Sequence, residues 1–159
     1  MDDKGPIFVL GFPRSGTTAM ATALGSARSI QGPSEEGHYL YFLAEMIQTL
    51  RSGKNVNPAS VLSKGAKLKI FEQEIALAVQ RFNERLVAPC DVWLDKTPDL
   101  RQVQCVPVYA SLFAGARFLF MYRDPIAVIE SNMSNWPHIR RTLSKTTKRW
   151  VKTMSTWRS

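Results

Sequence analysis

Short apolar runs alternate along this chain with longer amphipathic stretches. Pro6–Leu10 is a compact apolar run ahead of a glycine, and its length and flanks predict a buried strand. A glycine-bearing turn over Gly11–Gly16 follows, and a helix is expected from about Thr17 through Met20, Ala23 and Leu24. The aromatic-rich segment His38–Leu50 reads as a second helix with Gly53 near its end, and residues 53–66 read as a loop. Lys67–Leu86 has the clearest helical period: Leu68, Phe71, Ile75, Val79, Phe82 and Leu86 recur at three- and four-residue steps along one face. Val92–Asp95 reads as a short buried strand, and a helical stretch that Pro107 starts or kinks reaches Phe113. Arg117–Tyr122 is the strongest strand pattern after the first. Asp124 stands where it can cap a helix that begins at Pro125 and runs to about Trp136; a last basic helix is expected over roughly 139–157.

Strands alternating with helices in this order imply an α/β fold, a parallel sheet with helices on both faces in three layers. Ligands on such sheets bind beyond the carboxyl ends of the strands. The 159 residues suit one domain, and with 45% apolar residues they can bury a core. No run approaches the roughly 18 apolar residues of a membrane helix, and Met1–Gly5 lacks the pattern of a signal peptide, so a cytoplasmic location is expected. Cys90 and Cys105 show neither metal nor redox spacing and read as buried free thiols.

Charge changes the picture at one end. The net charge is +8, but no acidic residue follows Glu130, where Arg140, Arg141, Lys145, Lys148, Arg149, Lys152 and Arg158 fall. Taking those seven from the chain's 21 basic residues leaves 14 against 13 acidic ones, close to balance. Such a segment suits an anionic ligand or a solvated helix face. Only Trp150 and Trp157 interrupt it, so a nucleic-acid partner is not expected.

Three motifs stand at the ends of the predicted strands. Gly11-Phe12-Pro13-Arg14-Ser15-Gly16-Thr17-Thr18 joins a strand to a helix, an arrangement in which backbone N–H groups and the helix start attract an anion. Its glycine spacing is that of a Walker A loop, but Thr17 occupies the lysine position and the basic residue has moved to Arg14. Phosphate binding is retained by this pattern, whereas the hydrolysis machinery of a P-loop kinase or NTPase, the alternative reading, loses its lysine. Arg123-Asp124-Pro125 with Ser131 places a guanidinium at a strand end and a hydroxyl two helical turns later. Asp95-Lys96-Thr97-Pro98 closes the third strand, and Val92–Asp95 read alone is also a Walker B pattern.

Pro13–Thr18 resembles the phosphosulfate loop of the sulfotransferase family, in the arginine form of tyrosylprotein, carbohydrate and bacterial members. Arg123 with Ser131 is similar to that family's 3′-phosphate site, and Asp95–Pro98 to its acidic-Lys-Thr-Pro segment. The resemblance implies a P-loop-like sulfotransferase fold and transfer of a sulfuryl group from 3′-phosphoadenosine 5′-phosphosulfate (PAPS) to a hydroxyl or amine. The product would be adenosine 3′,5′-bisphosphate, and no metal is required. Arg14, Ser15, Gly16, Thr17 and Thr18 would hold the 5′-phosphosulfate, and Lys96 would face the transferring group. The acceptor's proton needs a base. The glutamate pair of tyrosylprotein sulfotransferases corresponds here to Glu35 and Glu36: counting without gaps selects Glu35, matching the pair selects Glu36, and His38 stays open by analogy with cytosolic members. The resemblance spans Ile7 to Ser131. Family members continue with a further strand and a basic closing loop that nothing after Ser131 resembles, so the chain is expected to be a single partial domain, the N-terminal PAPS-binding part.

Overall fold

The computed structural model describes residues 4–33, 36–54, 57–63, 65–87, 89–135 and 143–158. Four parallel strands form one sheet in the order β2-β3-β1-β4: β1 (Ile7–Gly11), β2 (Ile30–Gln31), β3 (Val92–Lys96) and β4 (Arg117–Met121). β1 lies inside the sheet because all five of its residues are apolar or glycine and all are buried. It pairs Phe8 with Asp95 and Val9 with Lys96 on one side, and Phe8 with Phe118 and Gly11 with Met121 on the other. β2 pairs only Ile30 with Val92 and Gln31 with Trp93. At two residues it carries no periodicity, which is why the sequence pattern missed it.

The pleat sends alternate side chains to opposite faces. Phe8, Leu10, Trp93, Phe118 and Phe120 face a core shared with α2 (Tyr39–Ser52), α3 (Gly65–Leu86), α4 (Leu100–Gln104) and α5 (Val106–Leu112). Ile7, Val9, Val92 and Leu94 face α1 (Thr17–Gly25) through Met20, Ala21 and Leu24. This is the expected three-layer α/β arrangement. α1 follows β1 on one face and α4 follows β3 on the other, so the loops after these neighbouring strands diverge and open a crevice at their carboxyl ends.

Helix boundaries follow local chemistry. Gly53 ends α2 in the left-handed region at φ 65°. Asp99 caps α4 by accepting from the Arg101 N–H at 2.8 Å. The expected helical stretch to Phe113 is broken at Cys105, and α5 restarts with Pro107 in its first turn, where a missing N–H does no harm. Asp124 accepts from the Ala127 N–H at 2.9 Å and caps α6 (Pro125–Asn135), as its spacing predicts. The basic helix is α7 (Leu143–Arg158), which packs on α4 and α6; Trp150 joins Phe12, Val128 and Met154 in a third cluster. Lys145, Lys148 and Lys152 are exposed on α7, while Arg140 and Arg141 lie outside the described residues.

Three expectations are corrected. The segment 53–66 is not all loop: a 3₁₀ turn covers Val61–Ser63 and α3 begins at Gly65. The apolar stripe of α3 does not face the core along its length, since Phe82 and Leu86 are about half exposed. The covered face instead runs through Ile75, Ala76, Val79 and Asn83, because the Asn83 amide donates to Tyr39 Oη at 2.7 Å and turns that face towards α2. Cys90 is only half-buried; Cys105 is buried, and burial pushes its thiol up to about 11. No described helix is long and apolar enough to cross a membrane.

Phe8 organises the main core. It has no exposed surface and stacks on Tyr109 at 4.8 Å and Phe118 at 5.3 Å, with the Trp93 edge at 5.6 Å. Replacing Phe8 by Ala is expected to destabilise the chain by about 3–5 kcal/mol. Urea unfolding checks this, with the loss appearing in the midpoint and the slope nearly unchanged.

Candidate functional site

The turn after β1 is closed by its own serine. The Ser15 N–H and hydroxyl both donate to the Phe12 carbonyl, at 3.1 and 2.7 Å, and Ser15 is buried. Its side chain therefore shapes the turn rather than facing outward. Arg14 sits at φ 74°, the single non-glycine residue with positive φ among the described residues, and Gly16 follows at φ 98°. Holding Arg14 there is unfavourable by about 1–2 kcal/mol. Gly16 stands at the N-cap of α1 with no side-chain cap, so no side chain of the cap residue occupies the first amides of the helix. Thr17 is buried and Thr18 exposed at the same end.

The second sequence motif meets the first. The Arg14 Nε donates to Ser131 Oγ at 3.1 Å, and the Arg123 Nη1 donates to the Arg14 carbonyl at 3.3 Å. Two guanidinium groups 109 residues apart thus share one strand-end surface, because β4 lies directly beside β1. Two residues missed in the sequence fix α6 there. Asn132, buried, donates to the Pro13 carbonyl at 3.2 Å; Asn135 donates to the Ser131 carbonyl at 2.7 Å. Nothing but their place beside Ser131 marks them in the sequence.

The third motif gathers the candidate base. Lys96 ends β3, and its Nζ lies 3.1 Å from Glu36 Oε1, while His38 Nε2 lies 2.9 Å from Glu36 Oε2. Glu36 thereby bridges the lysine and the histidine that the sequence left as separate candidates. Glu35 lies outside the described residues. A cavity of about 300 Å³ opens beside this group between α1 and the end of β2, lined by Thr18, Thr22, Gln31, Gly32 and Lys96. A larger cavity of about 560 Å³, lined by Lys4, Gln80, Asp91 and Phe113, touches none of these site residues.

Asp95 does not serve as the sequence alternative would need. It is 2% exposed, its carboxylate accepts from Gln102 Nε2 at 2.8 Å and from Thr97 Oγ1 at 3.3 Å, and Gly37 packs against it. Gln102 in turn accepts from Tyr109 Oη at 2.8 Å. A Walker B aspartate has to reach a nucleotide-bound magnesium, whereas this one is sealed inside the core. Burial pushes its carboxyl up to about 6, against the hydrogen bonds and the nearby Lys96 charge, which lower it.

That shift has a sign for stability. The native state holds the Asp95 proton more tightly than the unfolded chain. Its contribution is therefore complete below about pH 4 and is lost as the pH rises through about 6. The loss is on the order of 3 kcal/mol. Urea unfolding of the wild type and Asp95→Asn at pH 4, 5 and 7 should show the wild type losing ground to the variant by that order as the pH rises. A constant difference between the two would contradict the raised carboxyl.

No curated protein matches the chain. The profile of the sulfotransferase family matches residues 6–159, which takes in every strand of the sheet and each of the three motifs gathered at their ends. With a match across nearly its whole length, the chain belongs to the sulfotransferase family.

Proposed function

We propose that this chain binds PAPS and transfers its sulfuryl group to a hydroxyl or amine acceptor. The observation that carries the reading is the direct contact of Arg14 with Ser131, which makes the two anion cradles one continuous surface. A nucleotide carrying phosphate at both its 5′ and 3′ positions is the ligand whose charges match such a surface. Mononucleotides with a single phosphate group leave half of it unused.

In this reading the turn Arg14–Thr18 holds the 5′-phosphosulfate. Its backbone N–H groups, the Arg14 guanidinium and the Thr17 and Thr18 hydroxyls supply the donors, while Ser15 keeps the turn closed. Arg123 and the Ser131 hydroxyl take the 3′-phosphate. Ser131 Oγ accepts from Arg14, so its own proton is available to donate to the anion. The acceptor enters beside Lys96, through the cavity of about 300 Å³ against α1.

Glu36 removes the acceptor's proton as the acceptor oxygen or nitrogen bonds to sulfur. The bond between sulfur and the bridging phosphate oxygen breaks, and negative charge grows on the departing phosphate. Lys96 meets that charge. A well-placed donor at such a position contributes about 3–4 kcal/mol to the transition state. The Lys96–Glu36 pair at 3.1 Å keeps both groups at the crevice before substrate arrives, with His38 on the other carboxylate oxygen. Glu35 remains the other member of the acidic pair in this proposal.

Calorimetry tests the donor assignment. Adenosine 3′,5′-bisphosphate is expected to bind at least tenfold more tightly than AMP, and Arg14→Ala to weaken the bisphosphate by more than tenfold, about 1.4 kcal/mol. Arg123→Ala should erase the preference for the bisphosphate while leaving AMP nearly unchanged. Equal affinity of the wild type for the two nucleotides would remove the 3′-phosphate assignment.

A further inference from the structure

We propose that Asp95 is a positioning residue of the site: its buried carboxylate packs tightly against Gly37, and so sets the Glu36 side chain opposite Lys96. The inference rests on reading Glu36 and Lys96 as reaction groups, and it adds to that reading what holds them in register.

The geometry makes this an attachment between two otherwise independent segments. Lys96 belongs to β3 and is fixed by the sheet, through its pairing with Val9. Glu36 belongs to the stretch between β2 and α2, which has no ladder of its own. Gly37 is the residue between Glu36 and His38, and it is buried against Asp95. A methyl group at Gly37 would overlap the Asp95 carboxylate, so the Gly37 backbone and the Asp95 side chain meet as closely as a glycine allows. The carboxylate cannot swing away, because Gln102 and Thr97 hold it and Tyr109 holds Gln102. The chain is thus tied one residue from Glu36 on one side and one residue from Lys96 on the other.

Packing alone does not account for a charged group at this place. A buried carboxylate disfavours its own ionised form, and an amide of the same shape would fill the space at lower cost. Three groups able to carry charge face it: Lys96 from its own strand, Tyr39 from α2 and Tyr109 from α5. Burial pushes the Tyr39 phenol up to about 12 and raises the Tyr109 phenol as well, so neither ionises near neutrality. Asp95, its carboxyl pushed up to about 6 by burial, changes charge in that range.

The first measurement is the Gly37 amide resonance followed by ¹⁵N NMR from pH 4 to 8 in the wild type and in Asp95→Asn. Glu36 and His38 are present in both chains, so their influence is common. The wild-type trace is expected to carry an additional transition near pH 6 that Asp95→Asn lacks. The second measurement is turnover of PAPS with water as acceptor. An S–O bond to water forms, the bond from sulfur to the phosphate oxygen breaks, and sulfate, adenosine 3′,5′-bisphosphate and a proton are released. Asp95→Asn is expected to lower kcat at least tenfold with KM, and the Kd for the bisphosphate, within twofold of wild type. Gly37→Ala, which drives a methyl group against the Asp95 carboxylate and removes no side chain, should give the same split if Asp95→Asn fails to fold.

Superimposable amide traces would overturn the proposal, and so would wild-type kcat in the two variants. A wild type whose amide shows the Asp95 transition but which neither binds the bisphosphate nor cleaves PAPS would sink the sulfuryl-transfer reading instead. The Asp95–Gly37 attachment would then stand without its catalytic use.

Discussion

β1 is hydrogen-bonded on both sides, to β3 and to β4, and every residue in it is buried. Parallel pairing has a consequence that antiparallel pairing lacks: the three neighbouring strands end on the same side of the sheet. Whatever follows them in sequence is delivered to one place. The turn carrying Arg14, the Lys96 at the tip of β3 and the Arg123 after β4 are separated by long stretches of chain, yet their spacing is set by two ladders about 4.8 Å apart. The Phe8 stack on Tyr109 and Phe118 keeps those ladders packed against the helical layer, so core and site share one scaffold.

Around that scaffold the charged groups are arranged in two different ways. At the β1–β4 side, Arg14 and Arg123 lie together with no carboxylate among their described hydrogen-bond partners; their contacts are a serine oxygen and a backbone carbonyl. Two like charges held this way are poised to gain from an anion. At the β3 side the opposite holds. Lys96 is compensated by Glu36, and Glu36 by His38 as well. The strand ends thus present an electropositive surface next to one in which charges are already paired, and in the proposed function that contrast separates a place for binding from a place where protons move.

Much of this was legible in the sequence, for identifiable reasons. Strand β1 announced itself because a buried parallel strand needs an unbroken apolar run, and β4, though only partly covered, carries an apolar run after Arg117 as well. Glycine spacing and the migrated arginine marked the first turn, and Asp124-Pro125 marked the start of α6. What escaped detection depends on contacts between distant segments. β2 is too short to carry a pattern. Asn83 belongs to the buried face of α3 only because Tyr39 offers it a hydroxyl, so a stripe drawn from apolar residues alone was rotated away from the true one. Asp95 looked like a metal ligand by its place after an apolar strand, and only the positions of Gln102, Thr97 and Gly37 show that it points inward. Gly37 itself is unremarkable in a one-dimensional reading, since the crowding that requires it comes from residues nearly 60 positions away.

The left-handed backbone of Arg14 carries an implication for how such a chain can change. Glycine would adopt that conformation without penalty, so a mutant chosen purely for resistance to heat or denaturant would be drawn towards glycine at position 14. The same exchange deletes the guanidinium. Under the nucleotide-binding role proposed for Arg14, robustness and ligand recognition therefore pull this one position in opposite directions.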